Sequence, residues 1–223
     1  MFGMTFDELL WRISIYSIPL ITAITLHEVA HGWAAKQLGD PTAQRAGRLS
    51  LNPVRHVDPI GTVVVPFAMA LLTGGAAMFG WAKPVPVVFQ NLRSPRRDMV
   101  LVAAAGPGAN LVMATLWTAL YALALNAGVD PYAWLVGVCI AGIRFNCVLA
   151  VFNMLPIPPL DGGRVVTGLL PPRAAEVFSR IEPFGFIIVI LLILPPAALL
   201  STLMEPPLRF FLDFFHGIVR DLT

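Results

Sequence analysis

Long apolar stretches, separated by shorter segments that carry most of the charged residues, make up most of this 223-residue chain. Five stretches stand out, and Arg144 is the single charged residue within them: residues 13–26, 59–82, 99–129, 132–160 and 183–204. A helix needs about 20 apolar residues to cross the hydrocarbon of a membrane. The first stretch reaches that length because it continues through a polar motif to residue 35. The pattern therefore predicts an all-α polytopic membrane protein.

These stretches predict one membrane-embedded domain, residues 1–223, with about four full transmembrane helices. The predicted helices cover residues 9–38, 98–126, 132–155 and 183–205, with a re-entrant or broken segment over residues 59–80. In the last part of the chain, residues 206–222, charged residues such as Arg209 and Asp213 stand among Phe and Leu. That mixture favours an amphipathic helix that lies in the membrane interface.

The composition agrees with a membrane protein and excludes several other classes. Hydrophobic residues make up 57% of the chain and charged residues 13%, whereas a soluble domain has about 25% charged residues. This balance excludes a disordered segment, a nucleic-acid-binding domain and an ordinary soluble enzyme. The net charge of +2 is too small to indicate a charged partner. Cys139 and Cys147 lie in apolar sequence without metal-ligand spacing, so we interpret them as buried hydrophobic residues.

Lys and Arg residues concentrate in three of the connections between the apolar stretches. These connections are residues 36–55, 83–97 and 164–180, and the link at Asp130 has no Lys or Arg. Cytoplasmic loops of membrane proteins are enriched in Lys and Arg, which predicts the three connections inside and Asp130 outside. Residues 59–82 join two of the basic connections, so we expect this stretch to enter the membrane and return. A complete crossing with a kink at Pro66 stays open as the alternative.

The first predicted helix contains an H-E-x-x-H motif, formed by His27, Glu28 and His31. Residues four apart lie on one face of a helix, so both imidazoles can reach one zinc ion. Glu28 can then take a proton from a zinc-bound water. The alternative is a polar helix face packed against other spans. Burying three such groups in a membrane without a partner costs roughly a few kcal/mol for each, which disfavours that alternative.

A catalytic zinc site commonly has a third protein ligand. The chain has no glutamate shortly downstream of Glu28, and Ala34 replaces the glycine of the extended H-E-x-x-H-x-x-G-x-x-H pattern. The remaining candidates are His56, Asp58 and Asp161. Asp161 follows a proline-rich segment that cannot form a regular helix, and a carboxylate on irregular backbone at the membrane edge needs a partner. From the residues alone, Asp161 and the His56/Asp58 pair are equally good candidates.

Four motifs together resemble the site-2 protease family of intramembrane zinc metalloproteases. The H-E-x-x-H of residues 27–31 is paired with N-x-x-P-x-x-x-x-D-G in residues 153–162. Residues 106–110, G-P-G-A-N, resemble the G-P-x-x-N of the family's middle core helix. Residues 80–87, G-W-A-K-P-V-P-V, resemble the strand-like segment that dips into the membrane beside the family's active site. The resemblance runs from about residue 20 to residue 170, most of the chain.

The resemblance implies one zinc ion per chain, held by His27, His31 and Asp161. It also implies that Glu28 is the base that activates water. Asn153 and Asn110 would help to position the substrate or to stabilise the tetrahedral oxyanion. For Asn110, a hydrogen bond that packs one helix against another is an equally good alternative.

The resemblance further implies a short β-like strand or hairpin over residues 80–91. The residues that would receive an unwound substrate by strand addition are Lys83, Pro84, Val85, Pro86 and Val87. The alternative is a surface loop anchored at the interface by Trp81. His56, in the connection before this segment, is a candidate for an extra ligand, a gate near the zinc or a solvated loop residue.

The resemblance predicts a zinc metalloendopeptidase that hydrolyses peptide bonds in or near transmembrane segments of membrane proteins. The chain resembles a short form without a PDZ or cystathionine-synthase-type domain, so substrate selection rests on the membrane domain or on a regulatory membrane partner. Association of several copies of the chain stays open. The alternatives are a membrane zinc transporter or sensor and an inactive binding module, and the intact Glu28 argues against both. We expect a prokaryotic plasma membrane location with the active site toward the cytoplasm.

Overall fold

The computed structural model describes residues 5–72, 80–193 and 199–223, and these residues form helices and loops without a β-strand. The α-helices are α1 (Phe6–Gln37), α2 (Thr42–Arg45), α3 (Val65–Leu72), α4 (Pro95–Asn126), α5 (Trp134–Asn153), α6 (Asp161–Leu169), α7 (Pro172–Ser179), α8 (Glu182–Ile193) and α9 (Leu199–Leu222). Short 3-10 helices cover Pro53–His56 and Phe89–Asn91, and a π-helix covers Pro59–Val64.

Three of the described helices, α1, α4 and α5, are long and apolar enough to cross a membrane. They correspond to the helices predicted over residues 9–38, 98–126 and 132–155, and their ends differ from the predicted ends by at most three residues. The earlier start of α1 has a local cause. The Thr5 hydroxyl accepts a hydrogen bond from the Glu8 N–H, and the Glu8 carboxylate accepts one from the Thr5 N–H. This reciprocal pair satisfies N–H groups that a helix start leaves unpaired.

α4 runs antiparallel to α1, and α5 runs parallel to α1. Two contacts at opposite ends of α1 demonstrate these directions. The Arg93 N–H, just before α4, donates to the Leu38 carbonyl, just after α1, at 3.0 Å. At the other end, the Trp134 indole of α5 donates to the Ser14 hydroxyl of α1 at 3.0 Å.

Glycine permits close packing of α5 against α4, since a Cβ on Gly142 would lie 2.4 Å from the Trp117 ring.

The described part of the predicted re-entrant segment consists of the π-helix and α3. The Asp58 carboxylate caps the π-helix by accepting hydrogen bonds from the N–H groups of Ile60 and Gly61, at 3.0 and 2.7 Å. Residues 73–79, the end of the predicted segment, lie outside the described residues. Both helices lie between the 3-10 helix at Pro53–His56 and the connection that returns toward α4.

The strand or hairpin expected over residues 80–91 is not formed among the described residues. Residues 80–88, called here the 80–88 segment, are neither helix nor strand. Two of their N–H groups bond to carbonyls of the preceding short helices instead: Trp81 to Gly61 of the π-helix at 3.0 Å and Lys83 to His56 of the 3-10 helix at 2.9 Å. Pro84 and Pro86 have no N–H group to donate to a ladder, which explains why a hairpin does not form here.

The predicted last span, residues 183–205, is not described as one helix. α8 ends at Ile193, residues 194–198 lie outside the described residues, and α9 begins at Leu199. The C-terminal amphipathic segment, predicted over residues 206–222, therefore belongs to a helix that begins seven residues earlier and contains Pro206 and Pro207.

The apolar face of α9 packs against α4 and α5. Phe215 joins a buried cluster that also contains Ala114, Ile143 and Cys147. Near the end of the helix, the Asn126 amide of α4 donates to the Leu222 carbonyl at 2.9 Å. Both cysteines of the chain are free and buried, which confirms the interpretation of Cys139 and Cys147 as small hydrophobic residues.

Candidate metal centre

Two helices bring three metal-binding side chains together in the interior of the protein. His27 and His31 lie one turn apart on α1, and Asp161 is the first residue of α6. All three are buried. The two Nε2 atoms are 3.0 Å apart, and each lies 3.2 Å from Asp161 Oδ2. In the part of the chain that the structure describes, no other group of His, Cys, Asp or Glu ligand atoms is close enough to hold a metal ion.

Asp161 reaches the two histidines because the chain folds back tightly after α5. The two glycines that follow Asp161 allow this close approach. A Cβ on Gly162 would lie 2.3 Å from the Met154 carbonyl oxygen, and one on Gly163 would lie 2.4 Å from the Pro158 nitrogen. The D-G-G sequence thus combines a ligand with the only residue type that fits at the next two positions.

The outer nitrogens of both histidines are hydrogen-bonded. His27 Nδ1 lies 2.6 Å from Asn110 Oδ1, and His31 Nδ1 lies 2.7 Å from the Val102 carbonyl oxygen. Both partner oxygens are acceptors, so each Nδ1 carries the ring proton and each Nε2 presents a lone pair. A hydrogen bond to the outer nitrogen is the usual way in which proteins fix the orientation and tautomer of a ligating histidine.

The triangle of ligand atoms fits a zinc ion. Lone pairs from two neutral imidazoles and a carboxylate converge on one point, and Asp161 Oδ2 is buried without a hydrogen-bond donor. Such an arrangement is repulsive unless a cation lies among the three atoms. Ligand atoms about 2.0–2.1 Å from a tetrahedral zinc ion lie about 3.3–3.4 Å apart, close to the observed 3.0–3.2 Å. Imidazole nitrogens combined with a carboxylate oxygen are also a donor set that suits zinc.

α4 leaves the space that the ion needs. A Cβ on Gly106 of α4 would lie 2.3 Å from His31 Nε2 and 2.7 Å from His27 Cε1. Any side chain at this position would therefore occupy the region between the two imidazoles. The first glycine of the G-P-G-A-N motif therefore leaves open the region between the two imidazoles.

Glu28 faces the same cavity as the three ligand residues. The cavity has a volume of about 850 Å³, and apolar side chains of α1 and α5 form much of its wall. Glu28 is half-buried, and its Oε2 accepts a hydrogen bond from the Val85 N–H at 2.8 Å. A carboxylate beside a metal position, in a cavity large enough for a peptide, can act as a base in hydrolysis.

The 80–88 segment forms one side of this cavity, with Pro84, Val85 and Val87 in the wall. Arg48 holds the segment in place, since its Nη2 donates to the Lys83 carbonyl at 2.7 Å. The Val85 N–H is already bonded to Glu28, and Pro84 and Pro86 have none. Three successive residues therefore have no free N–H group for contact with a bound peptide.

The other predicted site residues lie outside the ligand triangle. Asn153 lines the cavity, and its amide donates to the Leu149 carbonyl at 3.0 Å. His56 also lines the cavity, and its Nε2 donates to the Ser50 carbonyl at 2.8 Å. Because His56 is only 3% exposed, the alternative of a solvated loop residue was wrong. Of the three candidates for the third ligand, the structure places Asp161 beside the histidines and leaves His56 and Asp58 outside the group.

Asp40 is a residue near the site that the sequence did not reveal. It follows α1, has no exposed surface, and accepts hydrogen bonds from the Val88 N–H at 2.7 Å and the Asn91 amide at 3.0 Å. Burial alone would raise the pKa of Asp40, but the hydrogen bonds from Asn91, Thr42 and Val88 outweigh it and hold this pKa below its ordinary value. Asp40 therefore ties the end of the 80–88 segment to α1. An aspartate after a helix-ending glycine is a common surface pattern, so its sequence position does not mark it.

Comparisons with known proteins connect this centre to a family. Residues 123–195 match the family model described as Peptidase family M50. The chain is 38% identical over 191 residues to "Putative zinc metalloprotease YwhC" of Bacillus subtilis (strain 168), a match that covers 80% of each chain. It is 33% identical over 178 residues to "Putative zinc metalloprotease Rip2" of Mycolicibacterium smegmatis, a match that covers 79% of this chain and 65% of that relative. No solved structure matches the chain.

Proposed function

Because this chain belongs to peptidase family M50, the site-2 proteases, we propose a role for each residue of its metal centre in peptide-bond hydrolysis. Membership of this family makes the chain an intramembrane zinc metalloprotease. The observation that carries the residue roles is the triangle of His27, His31 and Asp161, with Glu28 beside it in one cavity.

His27, His31 and Asp161 would hold the zinc ion through the two Nε2 atoms and Oδ2. When bound, zinc acts as a Lewis acid, and the pKa of its bound water molecule falls to about 7. Glu28 accepts the proton of this water as it attacks the peptide carbonyl. Glu28 then gives the proton to the amine that leaves when the peptide bond breaks. Its place on α1 next to His27, but outside the triangle, leaves its carboxylate available for both transfers.

The two asparagines that were candidates for catalysis take different parts in this proposal. Asn153 lies in the cavity wall, where its amide can donate to the carbonyl oxygen of a bound peptide. Asn110 has no exposed surface, and its Oδ1 accepts the hydrogen bond from His27. Asn110 therefore positions a zinc ligand and does not touch the substrate.

The substrate of a protease of this family is a membrane protein, cleaved within the bilayer. We infer that the cleaved segment unwinds beside the 80–88 segment and donates N–H groups to carbonyls of this segment that Arg48 does not occupy. This contact differs from ordinary strand addition because Pro84 and Pro86 cannot donate in return. His56 serves as an anchor in this arrangement, since its carbonyl accepts the Lys83 N–H at 2.9 Å.

We also propose that residues 59–80 re-enter the membrane without crossing it. The Trp81 N–H donates to the Gly61 carbonyl at 3.0 Å, which supports a chain that returns to the level at which it entered. Two crossings, α4 and α5, then separate the end of α1 from Asp161, so the two halves of the zinc site meet on one side. The Lys and Arg residues of the three basic connections support the cytoplasm as that side, and the bacterial relatives support a prokaryotic plasma membrane.

Cleavage by the purified protein tests this function. Glu28→Gln keeps the size of the side chain and all three ligands, so we expect full zinc content and no hydrolysis of a single-span peptide in detergent. Wild-type protein should cleave the peptide and stop when zinc is chelated. Glu176→Gln changes an exposed residue of α7 and is the matched control, with activity expected to equal that of the wild type.

Retained cleavage by Glu28→Gln would contradict the role of Glu28 as the base. Zinc flux into vesicles without peptide cleavage by the wild type would contradict the protease mechanism and favour a transporter. In the described part of the chain, however, the three ligands form the single metal-binding group, and no second group marks an exit path.

A further inference from the structure

Two buried asparagines link the metal centre to the middle of the helix bundle. Asn110 of α4 and Asn146 of α5 are both 0% exposed. A buried amide that lacks a partner destabilises the folded protein. Residues of this type in the interior of a membrane domain therefore require an explanation, and in this protein both amides are bonded to defined partners.

The bonds form one continuous chain. The Asn146 amide nitrogen donates to the Gly142 carbonyl at 2.8 Å. Asn146 Oδ1 accepts from the Asn110 amide nitrogen at 2.9 Å, and the same nitrogen lies 3.2 Å from the Ala23 carbonyl. Asn110 Oδ1 lies 2.6 Å from His27 Nδ1. The chain thus begins at a backbone carbonyl of α5 and ends on a zinc ligand of α1.

Each link fixes the orientation of the next. The Gly142 carbonyl can only accept, so the Asn146 nitrogen must face it and the Asn146 oxygen must face Asn110. That oxygen requires the nitrogen of Asn110, which leaves the Asn110 oxygen toward His27. An oxygen in this place requires a proton on His27 Nδ1, and the lone pair is then on Nε2, the atom that faces His31 and Asp161.

We propose that Asn146 is a positioning residue for zinc, which acts through Asn110 to hold His27 in the tautomer that can bind the ion. The inference rests on the proposed metal centre and extends it to a residue that does not line the cavity. Without Asn146, the Asn110 nitrogen keeps only its longer contact, 3.2 Å to the Ala23 carbonyl, so the amide turns more readily and presents its nitrogen to His27. The ring proton then moves to Nε2, and that nitrogen no longer has a lone pair for zinc.

Zinc affinity of the purified full-length protein, measured by competition with a chelator, tests the proposal. Asn146→Leu keeps the branched shape and the number of side-chain heavy atoms but removes both polar atoms, so we expect a 10- to 100-fold loss of zinc affinity, as for other residues that orient metal ligands. Asn146→Asp should keep affinity close to that of the wild type. A protonated carboxyl can donate to Gly142 and accept from Asn110 as the native amide does.

The matched control is Thr118→Val, which removes a hydroxyl that is 1% exposed and bonded to the Ala114 carbonyl within α4. It has no link to His27, so zinc affinity should not change. The melting temperature of the metal-free variants separates positioning from general destabilisation. If Asn146→Leu does not fold, the zinc affinity of Asn146→Ala tests the role of Asn146. The nitrogen NMR signals of His27, compared between Asn146→Asp and the wild type, report the tautomer directly.

Three results would decide against the inference. Wild-type affinity in Asn146→Leu would overturn the role of Asn146, and so would an equal loss in Thr118→Val. A proton on Nε2 of His27 in the metal-free wild type would overturn it as well. Absence of zinc binding by the wild type would instead contradict the proposed metal centre, so the two failures are distinguishable.

Discussion

At the scale of single residues, the metal centre depends on a missing side chain as much as on its ligands. A Cβ on Gly106 would lie 2.3 Å from His31 Nε2, a separation that Cβ atoms essentially never show. Gly108 lies on the same helix two residues later, and a Cβ there would meet nothing within 4 Å. The same substitution at these two positions therefore separates an effect on the site from an effect on the helix.

We expect the zinc affinity of Gly106→Ala to be at least tenfold lower than that of the wild type, because the added methyl group forces the imidazoles apart. Cleavage should be lost together with zinc. Gly108→Ala should keep zinc, cleavage and stability, because a Cβ at this position meets nothing within 4 Å. Both variants replace glycine by the better helix former, so a difference between them reports on the metal centre. Zinc per chain, measured by elemental analysis of both purified proteins, checks this expectation. A full zinc content in Gly106→Ala would place the ion elsewhere.

The sequence was most informative where chemistry depends on local spacing. The H-E-x-x-H spacing alone predicted that His27 and His31 share a helix face. For the third ligand, the residues alone left Asp161 level with His56 and Asp58, since only the folded chain decides which of them reaches the histidines. Residues that orient the metal ligands were harder to predict than the ligands themselves. Asn110 contacts His27 across 83 positions of sequence, and no local pattern predicts such a contact.

At the scale of elements, length and apolarity predicted the three long helices but not the short connections. A span of about 20 apolar residues has few alternatives in a membrane, so α1, α4 and α5 follow directly from the pattern. The hairpin expected over residues 80–91 is not formed among the described residues, because side chains and carbonyls of the preceding short helices, rather than a second strand, satisfy its N–H groups. Asp40 and Arg48 supply part of that support, and neither belongs to a motif.

We expect Asp40→Asn to lower the free energy of unfolding by about 1.5–3 kcal/mol at pH 7, because an amide cannot accept as many hydrogen bonds as the carboxylate. The folded-state pKa of Asp40 is lowered, so its stabilisation is complete above the unfolded pKa of about 3.9 and is lost as pH falls through the folded pKa. The stability difference between wild type and variant should therefore shrink on acidification. Thermal unfolding in detergent, from pH 7 downward, measures it.

Asp130→Asn is the control for this series. Asp130 is exposed and accepts one hydrogen bond, from the Tyr132 N–H at 2.7 Å, so the same chemical change should alter stability by less than about 0.5 kcal/mol. A difference between wild type and Asp40→Asn that grows as the pH falls would contradict an ionised Asp40 in the folded protein.

At the scale of the whole molecule, the zinc site and the membrane topology constrain each other. The hydrogen bond between Arg93 and Leu38 joins the end of α1 to the start of α4 at 3.0 Å. Two residues in hydrogen-bond contact lie on the same side of a membrane, so the chain between them crosses it an even number of times. The proposed re-entry of residues 59–80 meets this condition.

Reporter insertions therefore give a sharp expectation for the topology. A reporter after Arg93 should score as cytoplasmic, and one in the link at Asp130 should score as extracytoplasmic, because α4 runs between them and carries no charge from Met99 to its end. Zinc content of each fusion protein shows whether the metal centre has assembled. A zinc-loaded fusion with an extracytoplasmic reporter at Arg93 would reverse the orientation of the active site. An extracytoplasmic score at both positions would mean that α4 does not span the membrane.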